Sequence, residues 1–219
     1  MMKSLYQAVP WSEVKVIGFD LDGTLYDEFD FISHVYRPIS SELSKFSFLS
    51  EIEIYDKMIS RWKEKGSSYN KIFEEILADS AISGKQRKEV IGECLSIYHN
   101  FKPEIKLNEF VRNILIEVHK SYELFIVTDG NPLLQRAKFD SLGLKQWIKE
   151  ENLGLCGAYG PHFAKPSIRI LQVLEIFRLA NPLPHVLYFG DRKVDMVFSS
   201  NSGFTFSHVH CMVPAVDRI

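Results

Sequence analysis

Short, nearly continuous apolar stretches recur along the chain, and most of them end in polar residues. They lie at residues 14–19, 123–128, 185–190 and 204–209. Stretches of this length without polar alternation are typical of strands that are covered on both faces in a parallel sheet. Residues 147–158 are less regular and are the candidate for a further short strand. The pattern therefore predicts four strands and a short additional one.

Helical spacing of apolar residues fills the intervals between the later strands. We predict helices at residues 107–120, 131–142, 166–179 and 193–200. Strands that alternate with helices indicate an α/β fold with a doubly wound parallel sheet. In such folds, ligands bind at the carboxyl ends of the strands, so functional residues are expected there.

Residues 28–106 have a different character. Apolar residues fall at helical spacing among many charges, and no convincing strand is present. We predict helices at residues 29–48, interrupted near Pro38, and at 51–65, 69–78 and 85–100. The apolar stripes are interpreted as the core of a small bundle. We therefore expect an all-helical domain at 28–106, inserted into an α/β core domain formed by residues 1–27 and 107–219.

The composition favours a folded globular protein and argues against nucleic-acid binding and membrane insertion. The chain has 219 residues, 46% of them hydrophobic and 25% charged, which is typical of a folded globular protein. The net charge of −2 gives no field that favours nucleic acid or an anionic membrane, and no apolar run is long enough to span one. Three scattered cysteines, Cys94, Cys156 and Cys211, fit reduced thiols and a cytoplasmic location. Composition does not indicate an oligomeric state.

The densest cluster of candidate chemistry follows the first apolar run. Asp20 and Asp22 are separated by one residue and are followed by Gly23 and Thr24. Two carboxylates, a glycine and a hydroxyl at a strand end can supply a nucleophile, a proton donor and a cation ligand. An ordinary Asp-Gly turn is the alternative interpretation.

Other strand ends and one helix start carry similar residues. Thr128, Asp129 and Gly130 end the second strand, and Lys165 precedes a predicted helix. Asp191 and Asp195 follow the fourth strand at a spacing that lets both carboxylates point at one cation. The alternatives are a helix cap for Thr128 and a solvated side chain for Lys165.

The stretch Asp20-Leu-Asp-Gly-Thr-Leu25 resembles the first motif of the haloacid dehalogenase-like (HAD) superfamily, and the other groups follow in that family's order as far as Asp195. The resemblance implies a Mg²⁺-dependent phosphatase that hydrolyses a small phosphorylated metabolite through an aspartyl-phosphate. It further implies that Asp20 is the nucleophile and that Asp22, protonated when substrate arrives, serves as general acid and then as general base.

The resemblance also implies which residues bind the phosphoryl group and the metal ion. Thr128 and Lys165 would complete the catalytic set, and the phosphoryl group would be bound by Asp20, Gly23, Thr24, Thr128, Asp129, Gly130 and Lys165. Magnesium would be held by the Asp20 carboxylate, the Asp22 main-chain carbonyl and Asp191, with Asp195 holding a metal-bound water or bracing Lys165. Many relatives carry asparagine at the position of Asp129, so an acid here departs from the family's phosphate-contacting pattern and can add a structural hydrogen bond.

The helical insertion would then be a mobile cap that sets substrate specificity. Phe31, His34 and Arg37 are its candidate substrate-facing residues. A phosphomutase of the same superfamily remains an alternative, as do a non-catalytic domain that binds a phosphorylated ligand and, more distantly, a haloacid dehalogenase, whose relatives typically lack an acid at the position of Asp22. A metal site formed by His208, His210 and Cys211 is not favoured, because a fourth ligand is missing.

Overall fold

The structure is a computed structural model that describes residues 2–67, 69–78, 80, 82–178 and 185–214. The chain divides into two units, which are described separately. The sheet unit comprises Met1–Glu28 and Glu104–Ile219, and the helical unit comprises Phe29–Pro103.

A six-stranded sheet forms the centre of the sheet unit. Its strands are β1 (Val16–Phe19), β2 (Glu123–Thr128), β3 (Leu153–Leu155), β4 (Val186–Gly190), β5 (Thr205–His210) and β6 (Val213–Pro214). Their spatial order is β3-β2-β1-β4-β5-β6, with β1 to β5 parallel and β6 antiparallel to β5. The predicted parallel α/β sheet is confirmed, including the short strand within residues 147–158. The small sixth strand was not predicted.

The strand order reverses next to β1, and this reversal predicts where a ligand binds. The chain builds outward from β1 through β2 to β3, then returns to add β4 and β5 on the other side of β1. Because crossovers in parallel sheets are right-handed, the two directions place helices on opposite faces. Ligands of doubly wound sheets bind at such a switch point, beyond the carboxyl ends of the adjoining strands. Those ends are Phe19 of β1 and Gly190 of β4.

The α-helices vary widely in length. They are α1 (Met2–Leu5), α2 (Glu28–Ser44), α3 (Glu51–Lys65), α4 (Ile72–Ile76), α5 (Gly84–Asn100), α6 (Glu109–Val118), α7 (Pro132–Ser141), α8 (Glu175–Arg178) and α9 (Lys193–Ser202). The helices of the helical unit are α2 to α5. Across the described ranges, no helix has both the length and the apolar character that crossing a membrane requires.

The interruption predicted near Pro38 is wrong, because α2 continues through that residue. A proline inside a helix removes one backbone donor and crowds the preceding turn. Here the ring is on the exposed side, while Val35, Tyr36 and Ile39 on the same helix are buried. Ser40 Oγ donates to the Arg37 carbonyl at 2.8 Å. Burial of the apolar face therefore outweighs the local penalty.

Two other predicted helices are shorter or different in kind. The helix expected at 69–78 is only α4, whose first residue follows Lys71 without a side-chain cap. The helix expected at 166–179 is a 3₁₀ segment, Ile168–Val173, followed by the short α8, and residue 179 lies outside the described ranges. Leu174 between them has an extended backbone that ends the first segment.

Gly18 sits in the middle of β1 because aromatic rings cross the strand at that point. A Cβ added there would lie 2.2 Å from Phe125 Cζ and 2.6 Å from Tyr188 Cδ2. The two rings are 5.9 Å apart between centroids, and both are fully buried. The strand that carries Asp20 is thus fixed by large side chains from β2 and β4 that only glycine admits.

Gly18→Ala should destabilise the fold by about 1–3 kcal/mol, because the added methyl group overpacks this core. Thermal unfolding followed by calorimetry would measure a fall in Tm of about 2–4 °C for each kcal/mol. Gly92→Ala is the matched control, since Gly92 is an exposed residue of α5 with nothing within 4 Å of an added Cβ. The control should be neutral or stabilising by about 0.5–1 kcal/mol. Equal effects of the two substitutions would contradict this account of Gly18.

Candidate active site

The carboxyl ends of the three central strands bring the predicted site residues to one edge of the sheet. Asp20 follows β1, Thr128 ends β2 and Asp191 follows β4. The Asp20 N–H donates to the Phe189 carbonyl at 2.8 Å, which extends the pairing of β1 with β4 by one residue. Asp20 and Thr128 are each only 1% exposed, so their side chains are held in a dry environment.

Lys165 forms the central ion pair of this edge. Its Nζ donates to Asp20 Oδ1 and to Asp195 Oδ1, both at 2.5 Å, and all three side chains are buried. Burial lowers the pKa of Lys165, but the carboxylates of Asp20 and Asp195 raise it well above its usual value. The lysine is therefore a permanent cation at the site.

The backbone at Lys165 is anchored by Asp129. The Lys165 N–H donates to Asp129 Oδ1 at 3.0 Å, and the peptide between Lys165 and Pro166 is cis. A carboxylate at position 129 therefore links the end of β2 to the lysine loop, as expected for a structural hydrogen bond. This contact engages one of the two oxygens of Asp129.

Both carboxylate oxygens of Asp195 accept hydrogen bonds. Oδ1 accepts from Lys165 and Oδ2 accepts from the Arg192 backbone N–H at 3.1 Å, at the start of α9. A Cβ at Gly190 would lie 2.4 Å from the Cβ of Asp195, so the strand end and the helix approach each other closely. Asp195 is placed to brace Lys165.

Asp191 differs, because one of its oxygens is left without a hydrogen bond. Oδ1 is buried with no hydrogen-bond partner in the described part of the chain, and Arg192 Nε lies 3.8 Å away. The carboxylates of Asp20, Asp191 and Asp195 each offer an oxygen within 4.8 Å of the others. Oxygen donors in this arrangement suit a hard divalent cation such as Mg²⁺.

The pKa shifts of two of these acids have the same origin. Burial raises the pKa of Asp191 to about 8, and repulsion from Asp20 adds to the shift, while Arg192 opposes it. Burial also raises the pKa of Asp20 to about 6, although Lys165 lowers it. When all three acids are ionised, their negative charge exceeds the positive charge of Lys165 and Arg192, so the residues fit a metal ion.

Asp22 lies in a separate hydrogen-bonded group. Its Oδ1 accepts from Lys138 Nζ at 2.6 Å and from the Tyr26 hydroxyl, and its Oδ2 accepts from Gln135 Nε2 at 2.8 Å. Burial would raise the pKa of Asp22, but the charge of Lys138 and these hydrogen bonds lower it below its usual value. In the ligand-free chain Lys138 therefore stabilises the Asp22 carboxylate, and protonation of Asp22 when substrate arrives stays a prediction.

The remaining predicted residues surround Asp20 and the end of β2. Thr24 Oγ1 lies 3.4 Å from Asp20 Oδ2, and Thr128 Oγ1 lies 3.4 Å from the Asp129 carbonyl, both at the long limit of a hydrogen bond. Gly23 and Gly130 have positive φ values of 75° and 109°. A Cβ on Gly23 would also lie 2.3 Å from Asp191 Oδ2. These glycines allow two backbone turns that side chains would obstruct.

The two histidines of β5 have different contacts, and His210 Nε2 lies 4.0 Å from Asp27 Oδ2. His208 Nε2 lies 2.9 Å from the Asp191 carbonyl, and the Cys211 N–H donates to the Gly23 carbonyl at 2.9 Å. In the described ranges, the metal-ligating side chains that cluster within 4.8 Å of one another are those of the three aspartates. β5 and its turn instead support the loops that carry Gly23 and Asp191.

The three candidate residues of the helical unit have different surroundings. Phe31 is fully buried and packs edge-to-face on Tyr98 and Phe101, with centroids 5.5 and 5.9 Å away. Arg37 is exposed, and its guanidinium lies 5.3 Å from the centroid of the Tyr55 ring. His34 is exposed. Phe31 is therefore a core residue of its own unit, which weakens it as a specificity residue.

Sequence reasoning missed Gln135 and Lys138, although α7 carries a signal. Leu134 and Phe139 are buried on this helix, and Gln135 and Lys138 are buried with them at 5% and 1% exposure. A lysine at a core position of a helix is unusual unless it is paired. The helix begins just after Thr128, Asp129 and Gly130, which points to a partner at the same sheet edge.

Comparison with known proteins identifies one family and relatives that share one name. Residues 17–209 match the family described as haloacid dehalogenase-like hydrolase. The chain is 28% identical over 190 residues to a glyceraldehyde 3-phosphate phosphatase of Methanocaldococcus jannaschii, which covers 82% of this chain and 77% of the relative. It is 24% identical over 213 residues to the protein of the same name from Methanothermobacter thermautotrophicus, covering 94% and 89%.

Solved structures share the fold. A HAD-superfamily hydrolase of subfamily IA, variant 1, from Geobacter sulfurreducens superposes with a TM-score of 0.64 at 19% identity, covering 90% of this chain and 87% of that one. The magnesium-bound HAD-type protein YfnB of Bacillus subtilis superposes with a TM-score of 0.62 at 14% identity, covering 90% and 89%.

Asp191→Asn should stabilise the metal-free chain at high pH. Because the pKa of Asp191 is higher in the folded chain (about 8) than its usual value of 3.8, the folded state retains the proton that the unfolded state releases. Its contribution to the free energy of unfolding is therefore fully present below about pH 4 and is lost as the pH rises through about 8. The amide cannot ionise, so the Tm advantage of the variant should grow as the pH rises from about 4 and should level off above about 8.

Thermal unfolding in EDTA across this pH range is the measurement. Asp140→Asn, which removes an exposed carboxylate from α7, is the matched control and should show no pH-dependent advantage. A Tm difference between wild type and Asp191→Asn that stays constant with pH would contradict the raised pKa of Asp191.

Proposed function

The chain belongs to the haloacid dehalogenase-like hydrolase family and is a phosphatase of that family, and we propose that it hydrolyses a small phosphorylated metabolite through an aspartyl-phosphate on Asp20. The observation that carries this proposal is the group formed by the buried Asp20, Lys165 and Asp195 with the half-buried Asp191. It combines a carboxylate at a strand end, a permanent cation and two further acids, which is what transfer of a phosphoryl group to a side chain needs.

The first chemical step forms one bond and breaks one. An Asp20 carboxylate oxygen attacks phosphorus, the bond from phosphorus to the leaving oxygen breaks, and Asp22 transfers a proton to that oxygen. In the second step water attacks phosphorus, Asp22 takes the proton from the water, and the bond to Asp20 breaks. Inorganic phosphate leaves and the Asp20 carboxylate is restored.

Asp22 must gain a proton before the first step. In the ligand-free chain its pKa is lowered, chiefly because Lys138 offsets the effect of burial. A phosphate monoester that binds nearby brings negative charge, and like charge raises the pKa of a carboxylate. The proton then reaches Asp22 from solvent or from the monoester itself.

The other residues hold the phosphoryl group and its charge. Lys165 offsets the negative charge shared by Asp20 and the phosphoryl oxygens, and it is preorganised by Asp195. The Thr24 and Thr128 hydroxyls, whose hydrogen bonds in the ligand-free chain are long, can turn to phosphoryl oxygens. The backbone around Gly23 and Gly130, together with Asp129, completes the proposed phosphate-binding set.

Mg²⁺ is the proposed cofactor. The Asp20 and Asp191 carboxylates and the Asp22 main-chain carbonyl would hold it, and Asp195 would support this set. When bound, the ion supplies positive charge that compensates the carboxylates and the phosphoryl oxygens. Asp191 Oδ1 is buried and has no hydrogen bond within the described ranges, and this supports the assignment.

The helical unit is the proposed cap that selects the substrate. Within it, a cavity of about 170 Å³ is lined by aromatic side chains, including Tyr36, Trp62 and Tyr98, together with His99. The curated relatives are named for glyceraldehyde 3-phosphate, which makes a short phosphorylated aldehyde the first substrate to test. The cytoplasmic location stays a prediction that rests on the odd number and the scattered positions of the three cysteines.

The decisive experiment measures inorganic phosphate released from a panel of phosphorylated sugars, nucleotides and small acids, including glyceraldehyde 3-phosphate. Wild-type protein should release phosphate with MgCl₂ and stop in EDTA. Asp20→Asn should reduce the rate by about a thousandfold or more, because the amide cannot form the acyl phosphate.

Asp140→Asn, which removes an exposed carboxylate from the same unit, should retain wild-type rates. Isomerised sugar phosphate without free phosphate would identify a phosphomutase instead. Full activity in EDTA, or in a folded Asp20→Asn protein, would overturn the proposed metal or nucleophile.

A further inference from the structure

The carboxylate of Asp22 is held by side chains from a helix more than one hundred positions away in sequence. Lys138 Nζ binds Oδ1 at 2.6 Å and Gln135 Nε2 binds Oδ2 at 2.8 Å, and both residues lie on α7. The Tyr26 hydroxyl also donates to Oδ1. Three donors on two oxygens fix both the position and the rotation of the carboxyl group.

Lys138 is a buried cation whose presence stability alone does not explain. Its side chain is 2% exposed, whereas that of Asp22 is 13% exposed. Burying an ion pair removes two charges from water, and an apolar residue at such a position is often as stabilising or more so. α7 already buries Leu134 and Phe139 on this side, so an apolar residue would continue its core face. A lysine there is better explained by what it does to Asp22.

Gln135 connects Asp22 to the loop that follows β2. Its Nε2 donates to the Asp129 carbonyl at 2.8 Å as well as to Asp22 Oδ2. The start of α7 is itself fixed to this loop, because Asn131 Oδ1 accepts from the N–H groups of Leu133 and Leu134 at 3.0 and 3.1 Å. A shift of Asp22 relative to the end of β2 would therefore break several hydrogen bonds together.

We infer that Lys138 and Gln135 are positioning residues that hold the Asp22 carboxyl group in register with the end of β2, where it meets the leaving oxygen. This inference rests on the proposed function and deepens it. Neither residue touches the reacting atoms; each acts through Asp22. Their effect on the first step should therefore be confined to substrates whose leaving oxygen needs a proton from Asp22.

The test compares leaving groups. An alkyl oxygen needs a proton as it departs, whereas p-nitrophenolate leaves readily without one. The ratio kcat/KM reports the first step, in which Asp20 is phosphorylated. Lys138→Met should lower kcat/KM for the fastest alkyl phosphate of the panel about ten- to hundredfold more than for p-nitrophenyl phosphate. Lys145→Met, an exposed lysine of the same unit, is the control and should change neither value.

A second comparison separates action through Asp22 from general damage. In an Asp22→Asn background, adding Lys138→Met should cause less than about a threefold further loss of kcat/KM, because the positioned group is already absent. This background also removes the unpaired buried carboxylate, so it gives a result even where the single Lys138→Met variant does not fold.

The outcomes are distinct. The inference is supported if Lys138→Met lowers kcat/KM mainly for the alkyl ester and if this loss disappears in the Asp22→Asn background. Equal losses on both esters, or a large further loss in the Asp22→Asn background, overturn it and leave the proposed function intact. Absence of phosphate release by wild-type protein from every ester overturns the proposed function itself.

Discussion

One buried ammonium group determines the arrangement of the site. Lys165 lies between Asp20 and Asp195, and all three side chains are removed from water at the end of the sheet. Moving these charges out of water is unfavourable by several kcal/mol for each ion, so their mutual contacts must be close and well directed. The backbone meets this requirement through short links: Asp129 holds the Lys165 amide, and the Arg192 amide holds Asp195.

The same requirement divides the acids into two kinds. Asp22 is compensated by Lys138, and Asp195 shares Lys165 with Asp20. Asp191 has Arg192 nearby at 3.8 Å, and its buried Oδ1 lacks a hydrogen bond within the described ranges. Burial consequently raises the pKa of Asp191 to about 8, a shift that is common among acids of functional sites. Lys138 compensates the charge of Asp22, which the proposed chemistry needs in a fixed position. Arg192 compensates the charge of Asp191 only in part, at the place where a cation is proposed to bind.

Sequence reasoning succeeded where the physical signal is local. The apolar runs located the strands, and polar residues at their ends marked the edge where Asp20, Thr128 and Asp191 meet, because parallel strands must share that edge. It failed where distant packing decides. α2 continues through Pro38 because its apolar face is buried, and the pairing of Asp22 with Lys138 joins residues 116 positions apart. Periodicity places Lys138 on one face of a helix, but no pattern within a single sequence predicts that Asp22 is its ion-pair partner.

The most direct test of the account is to locate the phosphoryl group during turnover. Wild-type protein mixed with its fastest substrate and Mg²⁺, quenched in acid within one turnover, can be digested and examined by mass spectrometry. The account predicts a phosphoryl group on the Asp20 side chain that is present in the quenched sample and absent after the substrate is exhausted. A phosphoryl group on any other residue, or turnover without phosphorylation of Asp20, would contradict it.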